Sequence, residues 1–536
     1  MDKENIDKAK VGSIVTVVKT IDKAEDPIEL FAKLSDYGRK KNCLLLESAD
    51  ILEKYGELSI GTANPCLKVS GNKEDFEILA LNVKGEMFLK EIKNDFKFCD
   101  KAVYKKDSIK GKLIPKRKTV SEDERLKLKT HMDILRVIAF KFKASEKPFV
   151  PYCGLFGSIS YDFIDQFEDL PENKNDPLND PDYELYFVDN LFLIDHKADK
   201  THIIANALIT NQKKEEIVKN IEKTIDIYEK AISAKIPVVK KRAKKSADME
   251  TDTEQDEYIK IVNKLKKNII EGDVFQVVPS RTITMNYNAE PLDIYEKLKK
   301  VNPSPYMFYI NGSNGALLGA SPEMFLRVEG DKEKVVKIRP IAGTKPRGII
   351  NGEIDHDLDS KYEAELKIDP KELAEHTMLI DLARNDVAKV SKPGTRYVDK
   401  PYIVEKYSHV QHLVSNVKGI LKDDLDALHA YLATMNMGTL TGAPKIEAMK
   451  LIREVEKNKR GFYGGAVGYL TPSGDFDSCI VIRSMRLKNN KAYLRAGGGV
   501  VYDSIPESEF QETEKKARAC IKAIEMAGGL KWKYYS

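Results

Sequence analysis

Hydrophobic residues follow two kinds of spacing along this chain, and the spacing changes from stretch to stretch. Helical spacing over residues 28–40, 132–142 and 258–271 predicts amphipathic helices. Runs rich in aromatic and β-branched residues predict strands, at residues 76–83, 149–160, 183–194, 273–281 and 480–482. No apolar run approaches the roughly 18 residues that a membrane-spanning helix needs, so the pattern does not indicate a membrane protein.

The helix predicted over residues 369–386, DPKELAEHTMLIDLARND, has the clearest start signal in the chain. Asp369 is a capping residue, Pro370 suits the first helical position, and Glu372 stands three residues after the cap. Glu372 and Glu375 lie one turn apart and share one face. A lone pair of this kind more often only complements the positive end of the helix dipole.

A second helix, predicted over residues 506–526, repeats the spacing with Glu509 and Glu512. If the two helices face each other, four carboxylates converge. They would repel and raise one another's pKa unless a cation lay between them, and an all-oxygen site with room for water favours Mg²⁺. We therefore expect a magnesium site at these helix starts.

Other unusual residues occur in the same half of the chain. A triple glycine at residues 497–499 follows a strand, where it forms either a bulge or a place for backbone amides to approach an anion. Arg483 ends a short apolar strand and suits capture of a carboxylate, and Lys516 follows the second acidic pair by one turn. Glu323 stands in the apolar stretch GASPEMFL, where its pKa would be raised and it could act as a general acid. Together they describe a pocket for a small anionic substrate.

Composition and charge narrow the possibilities further. The 88 basic and 84 acidic residues give a net charge of +4, too balanced to indicate nucleic-acid binding. The basic run at residues 240–245 continues into an acidic stretch and is interpreted as a solvated loop. The six cysteines are scattered with no CxxC, and the N-terminus has no apolar signal segment, so we expect reduced thiols in a cytoplasmic protein. Phosphate-binding loops and zinc motifs are absent from the sequence.

These segments resemble those of the chorismate-binding enzyme family. The motifs PIAGTKPRG, ELAEHTMLIDLARND, YSHVQHLVS, GTLTGAPK, YGGAVGY and PESEFQETEKKAR occur in family order between residues 258 and 529, and LLLES and GSISYD resemble the family's N-terminal part more weakly. The resemblance implies an α+β fold with two antiparallel β-sheets flanked by helices and the active site between them. It also implies a regulatory region over residues 1–235, a linker over 236–257 and a catalytic region over 258–529.

Within the family, the chain most resembles members that aminate chorismate at C2 and eliminate pyruvate to give anthranilate, the first committed step of tryptophan biosynthesis. The resemblance implies Mg²⁺ as cofactor, ammonia from a separate glutamine amidotransferase subunit, and feedback inhibition by tryptophan. The chain itself has no G-x-C-x-G elbow for releasing ammonia from glutamine.

The resemblance also assigns roles to residues. Glu323 would protonate the departing C4 hydroxyl, His412 would assist loss of pyruvate, and Thr439 would position the ring. The implied sites are, for catalysis, Glu323, His412, Thr439 and Gln276; for chorismate, Gly343, Thr344, Tyr463, Arg483, Gly497, Gly498, Gly499 and Lys516; for Mg²⁺, Glu372, Glu375, Glu509 and Glu512; and for tryptophan, Glu47, Ser48, Pro305, Tyr306, Met307 and Cys479.

Two positions distinguish reactions within the family. Members that add water resemble one another in carrying a lysine where this chain has Gln276, and glutamine cannot serve as a base. Aminodeoxychorismate synthases of the common type carry a nucleophilic lysine where this chain has Ala342. Direct addition of ammonia at C2 is therefore expected, with aminodeoxychorismate synthesis as the alternative. Outside the family, the acidic cluster would also suit a Mg²⁺-dependent phosphohydrolase, and a ligand-sensing protein that lost catalysis is a third interpretation.

Overall fold

The structure is a computed structural model that describes residues 3–49, 58–115, 121–144, 149–173, 175–239, 249–407 and 410–528. The basic run at residues 240–245 is part of the expected linker over 236–257 and lies outside the described residues. Residues 408–409 of the YSHVQHLVS motif also lie outside them.

Two large β-sheets form the centre of the fold, and helices cover them. The strands are β1 Ser13–Ile21, β2 Cys43–Glu47, β3 Leu58–Thr62, β4 Leu67–Asn72, β5 Asp75–Ala80, β6 Lys101–Tyr104, β7 Ser108–Lys112, β8 Lys143–Ala144, β9 Gly154–Ile159, β10 Tyr183–Val188, β11 Asn190–Asp195, β12 Lys200–Leu208, β13 Met249–Thr251, β14 Gln276–Val277, β15 Ser280–Asn286, β16 Tyr306–Gly312, β17 Gly315–Ser321, β18 Met324–Glu329, β19 Val335–Ile338, β20 Ile341–Pro346, β21 Ile349–Ile350, β22 Glu353–Ile354, β23 Tyr397–Lys406, β24 Val410–Ile420, β25 Gly442–Ala443, β26 Ala466–Leu470, β27 Phe476–Ile480, β28 Ser484–Lys488 and β29 Lys491–Gly497.

The helices lie mainly on the outer faces of the sheets. They are α1 Lys3–Lys8, α2 Pro27–Leu34, α3 Val83–Ile92, α4 Glu122–Arg125, α5 His131–Phe140, α6 Lys214–Ser233, α7 Gln255–Glu271, α8 Pro291–Val301, α9 His356–Ile368, α10 Pro370–Val390, α11 Ala427–Thr434, α12 Gly438–Thr441, α13 Lys445–Val455 and α14 Pro506–Gly528, with a 3₁₀ segment at Tyr161–Gln166. None of these helices is both long enough and apolar enough to cross a membrane.

The two sheets have matching strand orders. The first runs β13-β15-β29-β28-β17-β16-β2-β3-β11-β12-β1-β8, and the second runs β20-β24-β19-β18-β27-β26-β9-β10-β4-β5-β7-β6, with β23 paired to β24. Neighbouring strands are antiparallel except for β1 and β8. The predicted α+β fold, with two antiparallel sheets and flanking helices, is therefore confirmed.

Each sheet contains strands from both halves of the chain, and the halves repeat one topology. In the first sheet the order read outward from the β16–β2 junction is β16-β17-β28-β29-β15 on one side and β2-β3-β11-β12-β1 on the other. The second sheet shows the same relation around the β26–β9 junction. In each half, the chain therefore passes from a hairpin of the first sheet to a hairpin of the second sheet. Later in the same half, it passes from the second sheet back to the first.

Buried apolar residues fill the space between the sheets and the spaces beneath the helices. Phe308 and Leu317 of the first sheet share a cluster with Phe156 and Val467 of the second. A separate cluster lies between the first sheet and the helices α2, α8 and α14. The six cysteines are all free thiols, in agreement with the sequence.

Several predicted elements are confirmed and others are wrong in their bounds. Helix α10 begins after Asp369, whose side chain accepts hydrogen bonds from the Lys371 and Glu372 amides. The strand predicted over 183–194 is two strands in different sheets, since Asp189 lies between β10 and β11. The strand predicted over 480–482 is also wrong, because β27 ends at Ile480 and the chain leaves the second sheet there.

Candidate active site

In the C-terminal half, the chain passes from one sheet to the other at two short segments that lie side by side. We call these segments crossings. Glu323 stands between β17 and β18, and Arg483 stands between β27 and β28. The Ile480 amide donates to the Glu323 carbonyl at 3.0 Å, and the Ala320 amide donates to the Arg483 carbonyl at 3.1 Å. Arg483 has a φ of 49°, a left-handed conformation that is uncommon for a non-glycine residue. The crossings thus hold an acid and a cation together between the sheets.

Glu323 has the environment expected of a general acid. The residue is 6% exposed, and its Oε1 atom is buried without a hydrogen-bond partner among the described residues. Burial raises the pKa of Glu323 to about 7, although Thr439, Arg483 and Lys516 oppose the shift. The Thr439 hydroxyl is also buried and unpartnered among those residues. The carboxyl can therefore be protonated near neutral pH.

His412 is held in one tautomer by the segment that contains Gly343 and Thr344. Its Nδ1 atom lies 3.1 Å from the Gly343 carbonyl oxygen and 3.0 Å from the Thr344 hydroxyl. A carbonyl only accepts, so Nδ1 carries the proton and Nε2 keeps its lone pair. Burial lowers the pKa of His412 to about 4, and the charges of Arg483 and Arg339 act in the same direction. His412 is therefore neutral at pH 7.

The triple glycine makes room for neighbouring site residues. A β-carbon on Gly497 would lie 2.6 Å from the Pro279 carbonyl oxygen and 3.3 Å from the Tyr463 hydroxyl. One on Gly498 would lie 2.9 Å from the Glu509 carboxylate, and one on Gly499 would lie 2.8 Å from Gln276 Nε2. The contact at Gly497 is with backbone that cannot move aside, so this position requires glycine, whereas a side chain at Gly498 or Gly499 would displace Glu509 or Gln276.

The two acidic helix starts face the same region. Gln276 Nε2 donates to Glu375 Oε1 at 2.8 Å. Burial raises the pKa of Glu375, and the charge of Glu512 adds to the increase while Gln276 opposes it. Burial also raises the pKa of Glu372, with further increases from Glu375 and Glu512. The carboxylates of α10 and α14 are thus close enough to repel one another.

The carboxylates at the start of α14, Glu509 and Glu512, have partners among the described residues for some of their oxygen atoms and not for others. Glu509 Oε1 accepts from the Ser504 hydroxyl at 2.7 Å, while Glu509 Oε2 is buried with no partner in the described part of the chain. Glu512 pairs with Lys516 at 2.5 Å, which outweighs burial and lowers the pKa of Glu512. Lys516 also donates to the Gly497 carbonyl at 2.9 Å.

The acidic groups of α10 and α14 do not form a preassembled metal site. In the described residues, no three acidic, histidine or cysteine side chains are placed together so that they could hold a metal ion. The donor set nevertheless fits a hard divalent cation, because it consists of carboxylate oxygens, one of them buried and unpartnered among the described residues. Burial is the main cause of the raised pKa values of Glu372 and Glu375, and the neighbouring carboxylates add to both increases. Glu375 and Glu512, with Glu372 and Glu509 beside them, are the residues that would hold Mg²⁺.

Sequence reasoning missed two groups of charged residues at this site. Arg339 lies within electrostatic range of both Glu323 and His412. It directly precedes the motif PIAGTKPRG, but nothing in the sequence assigned it a role. Behind the triple glycine, Glu456 accepts hydrogen bonds from Ser280, Arg460 and Arg495. These residues are dispersed in sequence, and only the fold brings them together.

A second cavity, of about 410 Å³, lies at the junction of the two halves. It is lined by all six residues predicted for tryptophan, which come from both halves of the chain: Glu47, Ser48, Pro305, Tyr306, Met307 and Cys479. Glu47 and Met307 are direct partners in the β2–β16 pairing. Arg327 and Asp477, which sequence reasoning missed, also line this cavity and form a 2.8 Å ion pair.

The carboxylate of Glu47, one of the residues predicted for tryptophan, is engaged within the protein. It accepts from Tyr295 at 2.6 Å, Lys299 at 2.6 Å and Ser59 at 3.2 Å. The Glu47 charge is therefore already compensated within the protein. Asp477 is a second acid beside the cavity, and its carboxylate is likewise engaged, by the ion pair with Arg327 and by a 3.1 Å hydrogen bond from the Tyr306 hydroxyl.

Fold and site together define a class of enzyme. The model of the chorismate binding enzyme family matches residues 100–522, so the chain belongs to this family, as its motifs predicted. Anthranilate synthase component 1 of Vibrio parahaemolyticus is 41% identical over 533 residues, covering 97% of this chain and 95% of the relative.

Solved structures give the same result. The crystal structure of anthranilate synthase component I from Streptococcus pneumoniae is 29% identical, with a TM-score of 0.69 over 87% of this chain and 92% of that one. The menaquinone-specific isochorismate synthase MenF of Escherichia coli shares the fold at 15% identity, with a TM-score of 0.62 over 97% of both chains. The chain is thus an enzyme of the family that is similar over nearly its full length to anthranilate synthase component 1.

Proposed function

We propose that the protein converts chorismate and ammonia into anthranilate and pyruvate. The observation that carries the proposal is the buried Glu323 carboxyl, with a pKa near 7, beside Arg483 and between the two sheets. The relatives named anthranilate synthase component 1 support the same assignment. An acid that is protonated at neutral pH is what departure of a hydroxyl group requires.

The chain's own residues account for binding of the substrate. Arg483 would pair with one carboxylate of chorismate, and the amides of residues 497–499 would approach it closely. Tyr463 lies beside Gly497 and Thr439 beside Glu323, where they would fix the ring. When bound, Mg²⁺ would neutralise negative charge on the substrate and help to orient it.

Two steps follow from this arrangement. Ammonia adds at C2 while the C4 hydroxyl leaves as water with the proton of Glu323, and the ring double bonds shift between the two carbons. Loss of the C2 proton and cleavage of the C3–O bond then give the aromatic ring and enolpyruvate, which tautomerises to pyruvate. His412 is neutral, with a free Nε2 lone pair, so it can assist proton removal in the second step.

The identity of the nucleophile follows from two positions. Gln276 donates to Glu375 and has no basic group that could activate water. Ala342 is 7% exposed, on β20, and cannot form a covalent adduct with the ring. Direct addition of ammonia at C2 is therefore favoured over hydroxylation and over aminodeoxychorismate synthesis.

We further propose a partner and a regulator. The designation component 1 of the relatives and the absence of a G-x-C-x-G motif from this sequence support a separate glutamine amidotransferase subunit. The cavity at the junction supports tryptophan as inhibitor, since Tyr306 and Met307 provide an apolar wall for an indole and the acids Glu47 and Asp477 line the same cavity.

The purified chain tests this proposal directly. Mixed with chorismate, Mg²⁺ and an ammonium salt, it should form a fluorescent product that co-elutes with anthranilate. Glutamine should replace ammonium only when an amidotransferase subunit is added. Isochorismate, salicylate or aminodeoxychorismate as the product would refute the assignment.

A further inference from the structure

His412 has one ring nitrogen fixed by hydrogen bonds and the other turned toward the site. A histidine χ2 torsion has a broad energy profile, so a single edge contact does not define the plane of the ring. The imidazole plane determines where the Nε2 lone pair points. A contact from another side is therefore needed to fix the ring.

Tyr407 provides that contact. Its ring centroid lies 5.4 Å from that of His412, with the planes inclined at 63° in an edge arrangement. Tyr407 is 6% exposed, and its own position is fixed at both ends. The Tyr407 carbonyl accepts from Arg347 at 2.6 Å, and the Tyr407 hydroxyl donates to Glu405 Oε2 at 3.1 Å.

Glu405 joins this contact to the strands of the site. Glu405 is the direct partner of His412 in the β23–β24 register, which places both residues on one face of the sheet. The oxygen that accepts the Tyr407 hydroxyl also accepts from Arg339. The side chains of Arg339 and Glu405 are 6% and 12% exposed, so the pair is well shielded from water.

The pair also sets the charge next to the reacting groups. Arg339 acts electrostatically on His412 and Glu323, together with Arg483 from the crossing between the sheets. Glu405 balances the Arg339 charge within the same sheet. Removal of the Glu405 charge would take away the carboxylate that pairs with this buried cation and would change the charge around the general acid.

We propose that Tyr407 and Glu405 are positioning residues for His412, Tyr407 by fixing the imidazole plane and Glu405 by holding Tyr407 and Arg339 in place. This inference rests on the proposed role of His412 in the loss of pyruvate. Neither residue reaches the reacting atoms in this role. Both act through the orientation of the imidazole and the charge around it.

Steady-state kinetics of three variants test the proposal. Tyr407→Leu removes the ring, and Glu405→Gln removes the charge. Each should lower kcat about tenfold, a partial loss of the roughly 10²- to 10⁴-fold contribution that a general acid or base makes. The KM for chorismate should change by less than about twofold. Tyr407→Phe keeps the ring but loses the hydrogen bond to Glu405, so its kcat should lie between that of Tyr407→Leu and that of the wild type. Asp399→Asn is the matched control, because Asp399 lies on the same strand and pairs with Lys418 away from His412.

A spectroscopic measurement gives a readout independent of turnover. In protein labelled with ¹⁵N-histidine, with the signal assigned through His412→Gln, the wild type and Asp399→Asn should show the Nδ1-protonated tautomer of His412. Tyr407→Leu and Glu405→Gln should show averaged or shifted imidazole signals.

The two measurements separate the possible failures. The positioning role would be overturned if Tyr407→Leu and Glu405→Gln left both the imidazole signals and kcat unchanged. It would also be overturned if these variants lost kcat/KM only through a raised KM. If the wild type does not convert chorismate, the proposed function fails, while the imidazole signals still test positioning. If Tyr407→Leu does not fold, the volume-conserving Glu405→Gln decides the question.

Discussion

The two halves of the molecule repeat one topology, yet the crossings between their sheets have different contents. In the C-terminal half the crossings hold Glu323 and Arg483. In the N-terminal half the corresponding positions hold Cys66, before β4, and Asp189, between β10 and β11. Burial raises the pKa of the Cys66 thiol, and Asp189 adds to the increase.

The two halves differ in which groups balance the charged residues at their crossings. Asp189 is fully buried and pairs with Lys84 on α3 at 2.8 Å, and Lys84 also contacts Thr224 on α6. The cavity beside this pair measures about 30 Å³, too small for a ring-bearing ligand. The corresponding helices of the C-terminal half, α10 and α14, carry the two acidic pairs as well as Lys516. The N-terminal crossing thus has its counter-charge in one buried ion pair, whereas the C-terminal half gathers several acids and cations around Glu323 and Arg483.

The largest expected effect concerns the acids of α10 and α14. Glu375→Gln or Glu512→Gln keeps the side-chain volume but removes a ligand charge, so turnover should fall at least about a hundredfold, equivalent to a few kcal/mol of lost stabilisation. The dependence of the remaining activity on Mg²⁺ concentration should change as well. Activity assays across a Mg²⁺ titration check this.

The control for this prediction comes from the other half. Glu86 on α3 pairs with Lys106 at 3.1 Å, and Glu86→Gln should leave turnover and Mg²⁺ dependence unchanged. Full activity of Glu375→Gln at limiting Mg²⁺ would remove the metal assignment.

The second prediction compares one crossing residue from each half, Arg483 and Asp189. Arg483→Gln should lower kcat/KM about a hundredfold or more through loss of a bidentate carboxylate contact, with little change in the free energy of unfolding. Asp189→Asn should leave kcat/KM nearly unchanged but lower that free energy by roughly 3 kcal/mol, because it leaves Lys84 without a counter-charge. Denaturant unfolding and chorismate kinetics on both variants measure the two effects. A catalytic defect in Asp189→Asn that persists under stabilising conditions would contradict the division of roles.

The sequence predicted the helices of the site better than its crossings. Helix α10 could be predicted because Asp369, Pro370 and Glu372 are local start signals. The crossing at Arg483 could not, because residues 480–482 are apolar whether the chain stays in one sheet or moves to the next. The same ambiguity merged β10 and β11 into one predicted strand. Strands buried on both faces lose the alternation that would mark a change of sheet.

Long-range partners were the other limit. The apolar stretch around Glu323 and the motif that contains His412 singled out those two residues as candidates, whereas Arg339 and Glu405 only lie near family motifs and Tyr407 begins one without a role implied for it. Their roles depend on the β23–β24 register, which no local pattern defines. The charged cluster around Glu456 is a further example, since its partners Ser280 and Arg495 are more than two hundred residues apart in sequence.

A third prediction uses pH, because Glu323 should contribute to catalysis at a cost in stability. Its folded pKa of about 7 lies above its ordinary value of 4.5. Between these values the folded state binds a proton that the unfolded state has released, so stability falls as pH rises through this window, by up to about 3 kcal/mol. Glu323→Gln should therefore melt a few degrees above the wild type at pH 8 but near it at pH 4.5, while losing at least about a hundredfold in kcat.

Thermal melts at the two pH values, with the exposed Glu271→Gln as control, check the stability part. Wild-type kcat should also decline as pH rises above about 7, because the acid must be protonated to act. Equal melting temperatures of Glu323→Gln and the wild type at both pH values would show that the buried carboxyl carries no such cost.

The smallest expected effect concerns the junction where the halves meet, and it tests whether they communicate. Ser48 and Met307 line the same cavity from different halves, so a ligand there contacts both and can favour one relative arrangement. If tryptophan stabilises an arrangement that does not close on chorismate, then chorismate must weaken tryptophan binding by the same factor, typically about 5- to 150-fold. Calorimetric titration of tryptophan, with and without chorismate, measures that factor directly. Ser48→Phe fills part of the cavity and should abolish binding, whereas Ser48→Ala, which leaves the cavity open, should weaken it only modestly. Equal tryptophan binding by Ser48→Phe and the wild type would exclude Ser48 from the site, and tryptophan binding that chorismate does not change would show that the junction does not couple the two halves.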